Sequence, residues 1–234
     1  MRFCYLVSLE NASPEARISA SDKAEIASLI AATPALRHAE MHTPALATDI
    51  YTADGPSPQL ALQLYFDDLI ELEAATAGKG HLQALAETSR WPSLTGARAS
   101  QQAMYARHFE IAGAPTPKEP RCSFLVHYPG PAEDFNVWFN HYLASHPPIM
   151  RRFPNVRQIE ILSRVDWIDA MPFERSTYMQ RNRVVFDSPE ALTVALQSPV
   201  RHEMRQDFHR FPPFEGGSFH FPALTETIKP ARPR

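Results

Sequence analysis

The chain has 234 residues, of which 44% are hydrophobic and 21% charged, with a formal net charge of −3. This length allows one large domain or two small ones. The charge argues against a general nucleic-acid binder, which would carry a basic surface. No apolar run approaches the roughly 20 residues of a membrane span, and the N-terminus turns acidic too soon for a secretory signal. The cysteines Cys4 and Cys122 fit reduced thiols in a cytoplasmic protein, not a disulfide framework or zinc site.

The sequence contains 22 prolines but only 8 glycines, and it has no GxGxxG, GxxxxGK[ST] or GxSxG motif. The usual nucleotide-binding and serine-hydrolase signatures are therefore absent. Most of the 10 histidines lie in the second half of the chain, many beside aromatic residues. Imidazole is the side chain that changes charge near neutral pH, so this bias indicates where acid–base chemistry would be found.

The first half of the chain predicts the order strand, helix, strand, strand, helix, strand. These elements cover residues 3–9, 22–32, 36–42, 60–66, 69–77 and 101–111. Residues 112–120 are rich in Pro, Ala and Gly, and this composition predicts a linker.

The second half predicts the same order of elements. Its strands cover residues 122–128, 156–165, 178–186 and 218–221, and its helices cover 134–150 and 190–197. In the first helix, Phe135, Trp138, Phe139, Tyr142 and Leu143 share one face. Two prolines at 147 and 148 are expected to distort or end that helix. The basic stretch up to residue 210, which includes His202 and His209, is expected to be a solvated surface.

The two halves resemble each other in sequence. The pattern Pro-x-aliphatic-Arg-x-x-Glu occurs at 34–40 and at 154–160, a spacing of about 120 residues. At the same offset, Phe66-Asp67 matches Phe186-Asp187. Several collinear matches predict a duplication with repeats at 1–112 and 121–223. Each repeat would be an α+β, ferredoxin-like βαββαβ unit. The two units would pack sheet to sheet as an internal dimeric α+β barrel, because a single unit leaves one apolar sheet face uncovered.

The helix segment FNVWFNHYLASHPPI at 135–149 is rich in aromatic residues and ends in a histidine followed by two prolines. Together with the FPNVR segment at 153–157, it resembles the EthD-like branch of the dimeric α+β barrel superfamily. The resemblance covers residues 122–221, whereas the first half matches in layout only and has Ile26 where the second has His146. It implies a cofactor-independent enzyme, since the superfamily includes muconolactone-type isomerases, polyketide cyclases, decarboxylases and quinone-forming monooxygenases. The tandem form is similar to bacterial cis–trans isomerases of ring-cleavage products from methoxylated aromatic acids.

Two candidate catalytic histidines lie on the aromatic helix. His146 stands where the helix meets the prolines, a rigid position from which an imidazole can face a cavity. The alternative is a histidine that only stabilises the helix C-terminus through the dipole; the family pattern favours the functional role. His141 lies five residues earlier and follows Trp138 by three, and its spacing fits a functional and a structural role equally.

Two further candidate catalytic histidines lie on strands. His127 alternates with Phe124, Val126 and Tyr128, so it either shares the space of His146 or faces the partner sheet. His220 lies between two phenylalanines in the last strand, and His108 is its rough counterpart in the first half. The pairing of these two positions is also compatible with a shared structural role.

Several more residues are candidates for binding the substrate. Arginine is the natural anchor for a carboxylate, because its planar fork binds both oxygens. The candidates are Arg151, Arg152, Arg183 and His108, with Trp138, Tyr128 and Tyr142 as the walls of an apolar pocket. These three aromatic residues are equally typical of a hydrophobic core in which a helix packs. No motif supports Cys122 as a nucleophile.

We therefore predict an isomerase of the cis–trans or tautomerase type that acts on an unsaturated carboxylate from aromatic ring cleavage by histidine acid–base catalysis. The same groups would serve a cyclase, a lactone isomerase or a decarboxylase. The sequence is also compatible with a non-catalytic binding protein and with a haem protein. Convergence of three or more of the four histidines on one cavity would favour an enzyme, and scattered imidazoles would favour binding or structure.

No metal is predicted, because His141 and His146 lack the i, i+4 spacing that presents two imidazoles on one helix face. No cofactor is expected, because the resemblance implies a cofactor-independent enzyme. The expected partner is a small carboxylate, with neither nucleic acid nor membrane. The oligomeric state stays open, a homodimer included.

Overall fold

The computed structural model describes residues 2–115 and 119–231. The strands are β1 (Phe3–Glu10), β2 (His38–Pro44), β3 (Leu60–Phe66), β4 (Arg98–Phe109), β5 (Arg121–Tyr128), β6 (Gln158–Arg164), β7 (Glu174–Arg175), β8 (Gln180–Phe186) and β9 (Phe219–Ile228). The helices are α1 (Ala20–Ala31), α2 (Leu69–Thr76), α3 (Phe135–Met150), α4 (Pro189–Leu196) and α5 (Pro199–Phe208). Three short 3₁₀ turns cover His81–Ala86, Thr88–Arg90 and Pro92–Leu94. None of these helices is long and apolar enough to cross a membrane.

Eight strands form a closed, antiparallel barrel in the order β1-β3-β2-β9-β5-β8-β6-β4, with β4 pairing back onto β1. The two-residue β7 adds to β4 in parallel. Within the first half the order is β4-β1-β3-β2, and within the second it is β9-β5-β8-β6. The halves join at two antiparallel seams, β2 with β9 and β4 with β6. Closure leaves no free sheet edge in the barrel.

Two predicted elements differ from the structure. The stretch predicted as a solvated surface is the helix α5, which begins at Ser198-Pro199; His202 and His209 are exposed as predicted, but the helix buries Met204 on its other face. The last strand, β9, extends well beyond the predicted end at residue 221, because its C-terminal part pairs with β2 of the other half. Of the predicted linker, residues 116–118 lie outside the described part of the chain.

The turn after the first helix of each half has the same geometry. Ala35 and Asn155, which are 120 positions apart, both adopt positive φ, at 60° and 61°. In the residues that follow, Arg37 pairs with Asp67 at 2.6 Å. At the same offset, Arg157 Nε donates to Asp187 at 3.0 Å. The two turns and their ion pairs therefore repeat at the spacing found in the sequence.

The barrel interior combines an ionic cluster with an apolar one, whereas the sequence predicts an apolar sheet-to-sheet interface. The apolar cluster is formed by Cys4, Leu6, Tyr65, Met104, Ala106 and Leu162. Glu40 and Glu160, the last residues of the two matched Pro-x-aliphatic-Arg-x-x-Glu patterns, are both buried in the ionic cluster. Arg183 lies between them, 3.6 Å from Glu40 Oε1 and 3.3 Å from Glu160 Oε2. Arg121 pairs with Glu40, and the Tyr65 hydroxyl donates to Glu160 Oε2 at 2.6 Å. Strand alternation predicts two faces but does not reveal that the inward face carries these charges.

The outer face of the barrel carries two apolar cores, one in each half, where the helices pack. In the second half, α3 begins at Asp134, whose side chain accepts from Val137 N at 3.0 Å. The helix continues through both prolines and ends at Met150, as the sequence predicts, so the prolines do not end it early. Its last turn is held by the bond from Arg151 N to the Pro147 carbonyl at 3.0 Å and by the burial of Met150.

Candidate functional site

A narrow cavity lies between the outer face of the second half's sheet and helices α3, α4 and α5, and the space in it that the centre of a water molecule can reach is about 40 Å³. The full space between the lining atoms, part of which is open to solvent, is about 510 Å³. Its walls are mainly apolar and include Phe124, Val126, Met150, Phe153, Val184 and Met204. The polar groups that line it include His146, His220, Asn182, Arg201 and Arg205. A few polar groups in an apolar cavity are the usual arrangement for orienting a ligand.

His146 enters this cavity from α3, one turn after Tyr142. Its Nδ1 lies 2.6 Å from Asp207 Oδ2 on α5, and both residues are buried. Ser145 Oγ donates to the same carboxylate oxygen at 3.1 Å. Because an ionised carboxylate only accepts hydrogen bonds, Nδ1 carries the proton and Nε2 keeps its lone pair.

His220 enters the cavity from β9 and has a carboxylate partner of its own. Its Nδ1 lies 2.7 Å from Asp54 Oδ2, which also accepts from the His220 backbone N–H at 2.9 Å. The ring stacks on Phe124 at 5.4 Å between centroids, with 26° between the planes. The same argument leaves the lone pair on Nε2 of His220. Two carboxylate-bound imidazoles therefore line one cavity.

Burial lowers the pKa of His146 below its ordinary value, and the hydrogen bond that His146 donates to Asp207 opposes that shift. Burial likewise lowers the pKa of His220, with Asp54 acting in the opposite direction. Burial tends to raise the pKa of Asp207, but the hydrogen bond and charge interaction with His146 and the hydrogen bond from Ser145 together lower it by more, so that the pKa lies below its usual value. At neutral pH both imidazoles are therefore in the neutral form, with the proton on Nδ1, and Asp207 is ionised. Such groups are prepared to accept protons.

Two arginines of α5 line the same cavity. Arg201 is buried and donates from Nε and Nη2 to Asp49, at 2.9 and 2.7 Å, so its charge is neutralised. Arg205 is half-buried, and its guanidinium lies 5.6 Å from the ring of Phe208. No carboxylate of the described residues lies within 4.0 Å of Arg205. It is therefore the better placed of the two to bind an anionic group.

Of the predicted residues, His146, His220 and Tyr128 line the cavity. Trp138 and Tyr142 are fully buried in the core beside it and pack on each other at 5.2 Å between ring centroids. His141 is not in the cavity wall; it packs edge-on against Phe211 at 5.9 Å. Its Nε2 has no hydrogen-bond partner among the described residues. Two of the four candidate histidines thus share the cavity, fewer than the three whose convergence would favour an enzyme.

The strand residues that the sequence also singled out lie in the barrel interior or at its seam, because they alternate with the cavity-facing positions. His127 contacts Arg181 at 3.4 Å and packs near Tyr178. Arg183 belongs to the interior charge cluster. His108 lies on the β4–β6 seam, 3.4 Å from Glu160. His108 and His220 are not counterparts in the two halves, because His108 lies opposite Glu160 across the β4–β6 seam whereas His220 lies opposite Val126 of β5.

The two arginines predicted at the end of α3 are on the surface, not in the cavity. Arg151 is exposed and lies over the ring of Phe109 at 5.5 Å. Arg152 is exposed and pairs with Glu203 at 3.1 Å. Since α3 continues to Met150, these residues follow a complete last turn and point away from the cavity.

Sequence reasoning missed Asp207, Arg201, Arg205 and Asp54. The Ser198-Pro199 start and the spacing of Val200, Met204 and Phe208 are a helix signal that could have identified α5. That helix presents Arg201 and Arg205 one turn apart. No local signal marks Asp54, since its role depends on a contact with the other half of the chain.

The equivalent space in the first half is filled by apolar side chains. Ile26, which occupies the repeat position of His146, is buried in one cluster with Leu82, Leu85 and Trp91. Within residues 2–115 and 119–231, no group of three or more His, Cys, Asp or Glu is arranged to hold a metal ion. The cavity in the second half is therefore the candidate site.

No family model matches the sequence, and no curated protein matches it either. Solved structures match by fold. An anthrone oxidase-like protein aligns over 97% of this chain and 93% of its own, with a TM-score of 0.63 and 12% identity. A candidate monooxygenase from Lactobacillus acidophilus NCFM aligns over 98% and 97%, with a TM-score of 0.54 and 9% identity.

A mutant chlorite dismutase from Candidatus Nitrospira defluvii aligns over 96% of this chain and 91% of its own, with a TM-score of 0.52 and 9% identity. At these identities the likeness concerns the fold alone. The chain therefore has the fold of the dimeric α+β barrel proteins, with its candidate site in the second half.

Proposed function

We propose that this protein is a cofactor-independent enzyme that moves a proton on a small, unsaturated carboxylate, in the manner of an isomerase or tautomerase. The observation that carries the proposal is the His146–Asp207 pair, at 2.6 Å, in the wall of an apolar cavity. A histidine that only fills a core needs no buried carboxylate partner, because a neutral imidazole satisfies its hydrogen bonds with uncharged groups.

In this reaction His146 Nε2 removes a proton from the hydroxyl or activated carbon of a dienol–keto substrate. The imidazolium that forms is stabilised by Asp207. In the resulting anion a C=C bond loses double-bond character, rotation about it becomes easy, and return of a proton fixes the other isomer. General acid–base groups contribute about 10²–10⁴-fold to such steps.

Arg205 is the proposed anchor for the substrate carboxylate, because it lines the cavity without a carboxylate of its own in the described structure. The apolar walls would hold the unsaturated carbon skeleton. They also exclude water, which strengthens the interaction between the anion and Arg205.

A second candidate reaction uses the same base. Loss of a proton from a phenol or an anthrone gives an electron-rich anion that can react with dioxygen without a cofactor. The fold likeness to an anthrone oxidase-like protein favours this second reaction. It differs from isomerisation in consuming oxygen.

We also propose that the two halves are copies of one ferredoxin-like unit, in which the first copy lost its cavity. The strand order β4-β1-β3-β2 and its counterpart β9-β5-β8-β6 support this proposal, as do the matched turns at Ala35 and Asn155. A homodimer stays a prediction, and light scattering of the purified protein would test it.

The central test compares His146→Ala with wild type on a ring-opened dienol dicarboxylate such as 2-hydroxymuconate, in deuterated water. Wild type is expected to convert the probe and to incorporate deuterium; His146→Ala is expected to lose at least about 10²-fold of both rates. His209→Ala, on an exposed histidine, is the matched control and should behave as wild type.

Equal rates in His146→Ala and wild type would disprove the role of His146. The second candidate reaction, with dioxygen, is distinguished from isomerisation by measuring oxygen uptake with an oxygen electrode and anthrone as the probe. It predicts an uptake that depends on His146. A protein that binds these probes without any His146-dependent rate would instead be a binding protein.

A further inference from the structure

The segment between β2 and β3, residues 45–57, belongs to the first half of the chain but is fastened to the second half; we call it the strap. Ala45 N donates to the Pro222 carbonyl at 3.2 Å, and Thr48 N donates to Thr193 Oγ1 at 3.2 Å. Near the other end, Ser57 donates to the Pro222 carbonyl. These tethers hold the strap across α4 and β9, next to the candidate site.

Two carboxylates of the strap contact the site itself. Asp49 binds the guanidinium of Arg201 through Nε and Nη2. Asp54 binds the imidazole of His220 at 2.7 Å. Thr52, between them, lines the same cavity. The first half therefore supplies part of the wall and the carboxylate of one of the two His–Asp pairs, although its own equivalent space is occupied by apolar side chains.

We propose that Asp54 is a positioning residue: carried by the strap, it orients His220 so that Nε2 faces the cavity and serves as the second proton-transfer group. This inference rests on the proposed function, because it assigns the second proton transfer of that reaction. The first half is then necessary for activity as well as for closing the barrel.

The geometry at Asp54 is more specific than a loop tether requires. One oxygen, Oδ2, accepts from both the backbone N–H and Nδ1 of His220, which fixes the carboxylate relative to the ring. Stacking on Phe124 fixes the plane of the ring. With Nδ1 and the ring plane both held, the direction of Nε2 is determined. Carboxylates that orient an imidazole in this way select its tautomer.

The charges around His220 come from three elements. Asp54 and Asp49 face it from the strap and raise its pKa, while Arg201 on α5 lowers it, and burial lowers it further. His127, on the inward side of the neighbouring strand β5, is close enough for the two imidazoles to interact. Removal of the Asp54 charge should therefore move the titration of His220 to lower pH.

The experiment compares Asp54→Asn with Asp49→Asn in the full-length protein. Each variant removes one anchor of the strap, but only the first removes the carboxylate on the imidazole. The readout that needs no substrate is the ¹H–¹³C NMR titration of the His220 ring, assigned with His220→Gln. Asp54→Asn should lower its midpoint by about one pH unit, whereas Asp49→Asn should move it much less.

The kinetic readout uses the 2-hydroxymuconate probe. Asp54→Asn should lower kcat at least about 10-fold with little change in KM, and Asp54→Glu should restore part of kcat by returning a carboxylate. Because Asp54 lies on a partly exposed loop, its variants are expected to fold. Asp49→Asn removes the charge that faces the buried Arg201, so circular dichroism would check the fold of every variant.

An unmoved His220 titration in Asp54→Asn, or an equal shift in both Asn variants, would overturn the assignment to Asp54. A shifted titration with unchanged kcat would overturn the catalytic use of His220. Failure of the proposed function itself has a different signature, the loss of any His146-dependent rate, so the two failures are distinguishable.

Discussion

The imidazole of His146 owes its expected reactivity to Asp207, which lies 61 positions further along the chain. Burial alone would leave a neutral and weakly basic ring, because a low dielectric disfavours the imidazolium. The carboxylate partly reverses that effect and orients the ring. The basicity of His146 and the orientation of its ring are thus both set by one contact between α3 and α5.

We predict that Asp207→Asn lowers kcat at least about 10-fold and moves the acid limb of the kcat profile to lower pH. The direction of the shift follows from the Asp207 carboxylate, which raises the pKa of His146 against the effect of burial. Without that carboxylate, the His146 imidazole stays neutral down to a lower pH. A pH–rate profile measures both effects. Glu203→Gln, an exposed change on the same helix, should leave the profile as in wild type. An acid limb that stays in place in Asp207→Asn would contradict this role.

For single residues, the sequence identifies the candidate histidines but not the aspartates that bind them. His146 and His220 are recognisable because a histidine beside prolines or aromatics stands out locally. Asp54 and His220 are 166 positions apart, and Asp49 and Arg201 are 152 apart. Aspartates in loops and helix faces are common, so nothing in the sequence singles out Asp49, Asp54 or Asp207.

Among the structural elements, the turns that follow α1 and α3 offer a comparison within one molecule. Both turns need a residue in the left-handed region, and the first half uses Ala35 where the second uses Asn155. A β-carbon at positive φ costs about 1–2 kcal/mol, and asparagine tolerates this region better than alanine. The two exposed positions therefore differ in strain.

Ala35→Gly should raise the free energy of unfolding by about 0.5–1 kcal/mol, since the relief of strain exceeds the added flexibility of the unfolded chain. Asn155→Gly should give a smaller gain or none. Urea denaturation of both variants beside wild type is the measurement. A larger gain at Asn155 than at Ala35 would show that strain is not what separates the two turns.

The helices also show where sequence patterns stop being sufficient. Ser188-Pro189 and Ser198-Pro199 are similar helix starts, but the charges after the second indicate a solvated surface, although Val200, Met204 and Phe208 recur at helical spacing. In α3, two prolines indicate a distortion or an end. The helix nevertheless reaches its predicted end at Met150, where Met150 and Phe153 pack in the core.

For the whole molecule, the polar barrel interior has consequences for stability. His42 is buried there, with Nδ1 2.9 Å from Thr225 Oγ1 and Nε2 3.2 Å from Gln63 Oε1. Burial, together with Arg183, lowers the pKa of His42 to about 3. In the unfolded chain a histidine titrates near its ordinary value of about 6.5. Between these two values the unfolded state binds a proton that the folded state does not.

The free energy of unfolding should therefore fall as the pH drops below about 6.5, by roughly 1.4 kcal/mol per pH unit from His42 alone. Urea denaturation at pH 7 and pH 5 measures this loss. His42→Gln should reduce the difference between the two pH values by about 2 kcal/mol, whereas His209→Gln, on an exposed histidine, should not change it. An equally steep dependence in His42→Gln would show that different buried groups dominate.

The sequence by itself determined the order of most strands and helices, the likeness of the two halves, the aromatic face of α3 and the choice of His146 as a candidate. These features depend on side-chain periodicity, helix caps and prolines, which act between neighbours in the chain. The resemblance between the halves likewise indicates the α+β barrel.

Only the tertiary structure decided which imidazoles share a cavity, that His127 and Arg183 face the barrel interior, and that the strap brings Asp54 to the second half. Alternation along a strand separates two faces but does not say what each one meets. The contacts that define the site join residues more than 60 positions apart. Packing of α3 against α5 brings His146 to Asp207, and the pairing of the two halves brings Asp54 to His220.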